Sequence, residues 1–164
     1  MKILPLIFTL LFCMPHLFAD APLRLSIVAE CSQERIGATS STTAPFYVIV
    51  TNQSDRPVRV WREWCSWGYF ALSLEAKTPD GRAFQIKKKP TAWTKNFPDY
   101  FIILPNAHFV LPVKLNEKWQ NYPTEERKLS LRAHYQILAD KESKEKQVWT
   151  GKIISPWMEV TLYK

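Results

Sequence analysis

Apolar and polar residues alternate with a period of two along most of this chain. In "LRLSIVAE", Leu23, Leu25, Ile27 and Ala29 share one face. In "FYVIVTNQSDRPVRVW", Phe46, Val48 and Val50 do the same, Asn52-Gln53-Ser54-Asp55 turns the chain, and Val58 and Val60 resume the pattern after Pro57. This predicts two strands joined by a polar turn. "YFALSLEAKTPDGRAFQI" predicts a hairpin. Phe70, Leu72 and Leu74 point one way, Thr78-Pro79-Asp80-Gly81 makes the turn, and Phe84 and Ile86 face inward afterwards. Beyond an irregular stretch from Thr91 to Pro98, "YFIILPNAHFVLPVKL" holds two runs split at Pro105-Asn106, with Phe109, Leu111, Val113 and Leu115 on one face. "KLSLRAHYQIL" is the plainest strand: Leu129, Leu131, Ala133, Tyr135 and Ile137 inside, Ser130, Arg132, His134 and Gln136 outside. "KESKEK" reads as a solvated charged loop, and "VWTGKIISPWMEVTLYK" as one or two closing strands with Met158, Val160 and Leu162 inward.

Only Asn116 to Asn121 offers a helical candidate, of at most a turn or two. Half-polar strands argue against a parallel sheet buried on both faces. Short runs separated by turn signals predict an all-β fold: an antiparallel β-sandwich of about 7–9 strands with at most one short helical turn.

The amino end changes the compartment. Lys2, the apolar run Ile3 to Phe12 and the small residues Ala19 and Ala21 predict a signal peptide over residues 1–19, with residues 20–164 as a single exported domain. Bulky Phe12 before Cys13 argues against a lipidated cysteine. No later apolar run has membrane-spanning length, so no stable membrane insertion is expected after cleavage. About 145 residues suffice for a real core. Losing Lys2 leaves 21 basic residues against 15 acidic ones, a surplus suited to anionic surfaces.

Cleavage removes Cys13 and leaves Cys31 and Cys65, which in an exported chain are expected to form one disulfide. Cys65 would then be a staple and not a nucleophile. It sits in "WREWCSWGYF", with Trp61, Trp64 and Trp67. Strand parity places Val58 and Val60 inward and Trp61 outward. Trp64 and Trp67 flank Cys65, and a tryptophan beside a disulfide belongs in a sandwich core, so Trp64 is expected there. The competing reading is an aromatic binding surface built from Trp61, Arg62, Trp64, Trp67 and Trp93, suited to sugar or protein contacts.

Catalytic chemistry is thinly represented. The two histidines of the mature chain, His108 and His134, have no H-x-x-x-H or C-x-x-C partner, and no metal or cofactor is expected. A solvated His134 is the expectation, in preference to a Cys65–His134 dyad. The chain has four glycines in all, with no P-loop, G-x-G-x-x-G or G-x-S-x-G motif. Glu63, Glu75, Asp80 and Asp99 are scattered over strand ends and turns and read as solvated. Lys87-Lys88-Lys89, followed by Trp93 and Lys95, can bind single-stranded nucleic acid in principle. Export argues against that partner. A solvated edge strand is preferred, with contact to anionic envelope polymers as the functional alternative. Asn52-Gln53-Ser54 is also a formal glycosylation sequon.

The order "VTNQSDRPVRVW", "YFALSLEAKTPDGRAF", "ILPNAHFVLPVKL" resembles the BsuPI-type proteinase inhibitor domain over Phe46 to Leu115. It departs at Pro105-Asn106, where that family's usual glycine is missing, and between Trp61 and Phe70. "VWTGKIISPWMEVTL" is similar to the closing strands of exported bacterial sandwich domains. The resemblance implies an immunoglobulin-like β-sandwich and, by kinship of fold alone, inhibition through an exposed loop at Thr91 to Pro98. The expected function is therefore a non-catalytic binding or interaction module whose partner is a protein or an envelope polymer. A proteinase inhibitor and a carbohydrate-binding module are the alternatives, the latter requiring two exposed tryptophans in a flat platform.

Overall fold

Asn52 joins two stretches of one long strand. In the computed structural model, which describes residues 21–29, 35–37, 46–115, 118–123, 125 and 127–163, the elements run in the following order. They are β1 (Leu23–Val28), β2 (Arg35–Gly37), β3 (Phe46–Asn52), β4 (Val58–Trp61), α1 (Ser66–Tyr69), β5 (Leu72–Lys77), β6 (Ala83–Lys88) and β7 (Tyr100–Ile103). Then come β8 (His108–Val113), β9 (Trp119–Gln120), β10 (Arg127–Ile137), α2 (Lys141–Glu145), β11 (Gly151–Ile154) and β12 (Met158–Tyr163). The fold is all-β and sandwich-like, as expected. The described residues hold twelve strands and two short helices, more pieces than the sequence pattern suggests. The excess arises because long strands are broken and the fragments are separately paired.

One layer has the order β1-β3-β8, continued by the pair β4-β7; the other runs β2-β12-β10-β5-β6-β9, with β11 also on β10. Among the described strands pairing is antiparallel except between β12 and β2, and an isolated parallel bridge joins Arg59 to Val148. The polar turn at 53–57 is not a hairpin. β3 pairs with β8 and β4 with β7, so it is a break in one line of strand, opposite a matching break at 104–107. Asn52 is fully buried at this junction. Its Nδ2 donates to the carbonyls of Arg56 (2.7 Å) and Ile103 (2.9 Å), and its Oδ1 accepts from the Ser54 backbone N–H (3.0 Å) and hydroxyl (2.7 Å). A buried amide is stable only with its donors and acceptors satisfied, and here they are. The sequon asparagine therefore presents no Nδ2 to solvent in the folded chain. Across the break, Asn106 takes φ 60°, the left-handed conformation that glycine or asparagine adopts most readily.

The β5–β6 hairpin forms as the pattern predicts, pairing Leu74 with Ile86 and Lys77 with Ala83, and Gly81 supplies φ 86° in the turn. Leu25, Val48, Val50, Leu111 and Val113 from one layer meet Leu72, Leu74, Ile86, Leu129, Leu131 and Tyr135 from the other, all buried. Phe70 departs from its expected inward place: it caps α1 outside β5 and is exposed. "KESKEK" is not a loop but holds α2. Asp140 and Ser143 form a reciprocal capping box that starts the helix. Of the helical candidate at 116–121, the described part is a turn followed by β9; Asn116 and Glu117 lie outside the described residues, as do residues 1–20 and Cys31.

Candidate functional site

The tryptophan-rich segment reverses the expected burial of Trp61 and Trp64. Trp61 is 1% exposed and Trp64 is 63% exposed. Alternation tells which side of β4 a residue takes, but not whether the outer side is covered. Here α1 folds back over it. A Cβ on Gly68 would fall inside the carbonyl oxygen of Arg62 and within 2.7 Å of its carbonyl carbon, so only glycine lets the helix approach the strand this closely. Trp67, carried by α1, then packs its ring 6.1 Å from that of Trp61. Trp61 and Trp67 thus leave the expected binding surface and join the packing, whereas Trp64 leaves the expected core for solvent.

Cys65 is buried as a free thiol. Its Sγ donates to the carbonyl of Arg62 (3.1 Å) and lies 3.6 Å from that of Asp99. The expected Cys31–Cys65 disulfide is therefore not found at Cys65; Cys31 itself lies outside the described residues. No Cys65–His134 dyad is assembled. His134 alternates away from Tyr135, the residue of β10 that shares the interior with Cys65, and its Nε2 lies 3.0 Å from Glu75 Oε2.

Arg62 and Trp64 remain together at the surface. The guanidinium lies 4.7 Å from the Trp64 ring, while its Nε donates to the Tyr100 carbonyl (3.2 Å) and sits 3.3 Å from Asp99. Trp64 therefore has one face backed by a fixed cation and remains largely open. It forms one wall of a cleft of about 460 Å³, together with Tyr69 and Trp119. The cleft lies between the layers, where β8 is the edge of one sheet and β9 the edge of the other. Pro112 and Lys114 contribute from the β8 side, Lys118 from the β9 side.

Lys88 is the interior cation of the cleft, its side chain 9% exposed. Its Nζ is 2.5 Å from Glu63 Oε1, 4.8 Å from the centre of the Tyr69 ring and 5.7 Å from that of Trp119. The lysine run is thus no simple solvated edge. β9 covers the end of β6, pairing Lys87 with Gln120 and Lys88 with Trp119. Trp93 does not line the cleft; it packs edge-on against Tyr69 with centroids 5.4 Å apart, buttressing that wall. The 91–98 stretch is pinned further by Asn96, which accepts from Ser66 N–H (2.9 Å) and donates to its hydroxyl (2.7 Å). Phe97 projects from the pinned loop, 74% exposed.

A polar cluster on the outer face of β5 and β10 was not legible as a unit. Glu75 Oε2 accepts from Arg132 Nε (2.9 Å) and Nη2 (2.7 Å) and from His134. Neither Glu75 nor His134 is solvated, contrary to expectation. Burial pushes the Glu75 carboxyl up, but hydrogen bonds from Arg132 and His134 outweigh it and hold the group below its ordinary value. Burial, followed by the charges of Lys152 and Arg132, holds His134 below its ordinary value against the pull of Glu75. Trp157 lies over Arg132 at 4.3 Å. A second recess, of about 400 Å³, is lined by Arg59 and Trp149, but Arg59 is already committed to the Lys146 carbonyl at 2.7 Å.

Among the described residues, no helix is long and apolar enough to cross a membrane. No protein-family model matches this chain, and no curated protein matches it.

Proposed function

We propose that the protein is an exported, non-catalytic binding module whose ligand site is the cleft between the β8 and β9 edges. The observation that carries this reading is the placement of Lys88. A lysine almost withdrawn from solvent, ion-paired to Glu63 and set between two aromatic rings, is a polar group held in position in a recess walled by Trp64, Tyr69 and Trp119. Ligand sites combine an apolar lining with a few fixed polar groups in this way, and about 460 Å³ falls within their usual size. Trp64, exposed beside the cleft, adds a wide contact surface at small cost in conformational freedom.

The test is retention on immobilised polymers, glycans and polypeptides, comparing the wild type with a Trp64→Ala/Lys114→Gln double variant. Retention lost in the variant supports the reading. Equal retention of both proteins, or turnover of the bound polymer, overturns it.

A proteinase-inhibitor reading is supported by one separate observation: Phe97 protrudes from a loop that Asn96 and Trp93 tie to α1. Proteinase titration with wild type and Phe97→Asp tests it, and an unchanged proteinase rate with both removes it. The flat two-tryptophan platform of a carbohydrate-binding module has less support. Trp61 is buried, its ring is tilted 43° to Trp67, and Trp93 meets Tyr69 edge-on.

A further inference from the structure

Resting on the cleft as the ligand site, we infer that its ligand is an acidic sugar chain, a polymer whose rings carry carboxylate or phosphate groups. Three features converge. The first is charge: Lys88 and Lys114 face the cleft, and among the described residues that line it Glu63 is the one carboxylate. Lys88 neutralises Glu63, and Lys114 has no ion-pair partner among the described residues. The second is the aromatic wall. Arg62 covers one side of Trp64, and the open remainder of the ring suits the C–H face of a sugar. The third is Glu63 itself. Its Oε1 is taken by Lys88, while its other oxygen is an acceptor at the rim of a cationic site. A bare polyanion has no hydroxyl to donate there and is repelled by the carboxylate. A sugar acid offers both a hydroxyl donor and an anion.

An acidic peptide fits less well. Peptides commonly join such a sheet border by adding a strand, and the β8 border carries Pro112, which lacks the N–H that a ladder needs. β9 on the opposite side is only two residues long.

The experiment uses the whole protein and four probes at physiological salt: oligogalacturonate, a neutral maltooligosaccharide, inorganic polyphosphate and polyglutamate. A phosphate-bearing sugar polymer serves as a fifth probe, to separate carboxylate from phosphate as the anion. Tryptophan fluorescence and calorimetry report binding to the wild type and to Trp64→Ala, Lys114→Gln and Glu63→Gln. The expected result is binding of an acidic oligosaccharide, weakened about tenfold or more by Trp64→Ala and several-fold by Lys114→Gln, in line with the loss of an aromatic or charged contact. Glu63→Gln, which removes the carboxylate's repulsion but keeps an acceptor oxygen, strengthens polyphosphate more than the acidic oligosaccharide. Equal affinity for the neutral oligosaccharide overturns the inference, as does binding of either acidic sugar that ignores Trp64. Polyglutamate binding more tightly, with the same dependence on Trp64, overturns the sugar ligand yet leaves the binding module standing. Silence from all five probes overturns both.

Discussion

Replacing Trp61 and Trp64 separately by alanine gives opposite outcomes to those that strand parity suggests. Trp61 is 1% exposed, so truncation removes almost all of a buried indole. An aromatic side chain buries about 150–250 Å², which at roughly 25 cal/mol per Å² corresponds to about 4–6 kcal/mol as an upper bound. Measured truncations of this kind cost about 3–5 kcal/mol, and that range is expected here. Trp64 is 63% exposed, so only about a third of the same area is at stake. Its contact with Arg62 adds about 0.5–1 kcal/mol at an exposed site, for an upper bound of about 2–3 kcal/mol against the roughly 4–6 kcal/mol of Trp61. The gap of roughly 2 kcal/mol separates the urea midpoints by about 1 M when the denaturant slope is about 2 kcal/mol/M. Should Trp61→Ala not fold, Trp61→Phe keeps part of the buried ring and is expected to remain folded at reduced stability. Equal losses for the two alanine variants, or a larger one for Trp64, would refute the placement of α1 over the strand.

Gly68→Ala is expected to lower stability by about 1–3 kcal/mol, the usual cost of overpacking, despite alanine's better helix propensity; a thermal melt checks it. Stability should fall as pH is lowered from neutrality. His134 is held below its ordinary value of 6.5, so its contribution is complete above that pH and is lost on acidification towards the folded value; Glu75, held below 4.5, adds a further loss at lower pH as its folded value is crossed. Urea midpoints across pH 5–8 should slope downward on the acid side, and His134→Gln should flatten the upper part of that slope. Cys65 should resist alkylation in the native protein and react on denaturation without reductant, as mapped by peptide mass; modification only after reduction would establish a bridge instead.

Parity proved reliable wherever a strand has one face on the core. Phe46, Val48 and Val50, then Leu129 to Ile137 at every second residue, are buried as the pattern requires. The same rule contained part of the site. With Ile86 inward, Lys88 shares its face and Lys87 does not, so alternation alone singles out the middle lysine of the run. With Leu74 and Ala133 inward, Glu75, Arg132 and His134 all face outward. Their meeting depends on β5 lying beside β10 in the register that sets Glu75 opposite Arg132, and strand order is not a local property.

The tryptophan segment escapes the parity rule for a different physical reason. Its arrangement depends on one short-range fit, Gly68 against the backbone of Trp61 and Arg62, which reverses the chain within a few residues and buries the outer face of a strand end. Once Trp61 is enclosed, the turn between β4 and α1 has nowhere left to bury Trp64, because Cys65 has already taken the inward position there. The exposed indole is thus a consequence of the packed one. That coupling places an aromatic ring, backed by Arg62, beside Glu63 at the mouth of the cleft, and it links stability to binding in a measurable way: Gly68→Ala should weaken ligand affinity as well as the fold, whereas Trp64→Ala should weaken affinity with a much smaller loss of stability than Trp61→Ala.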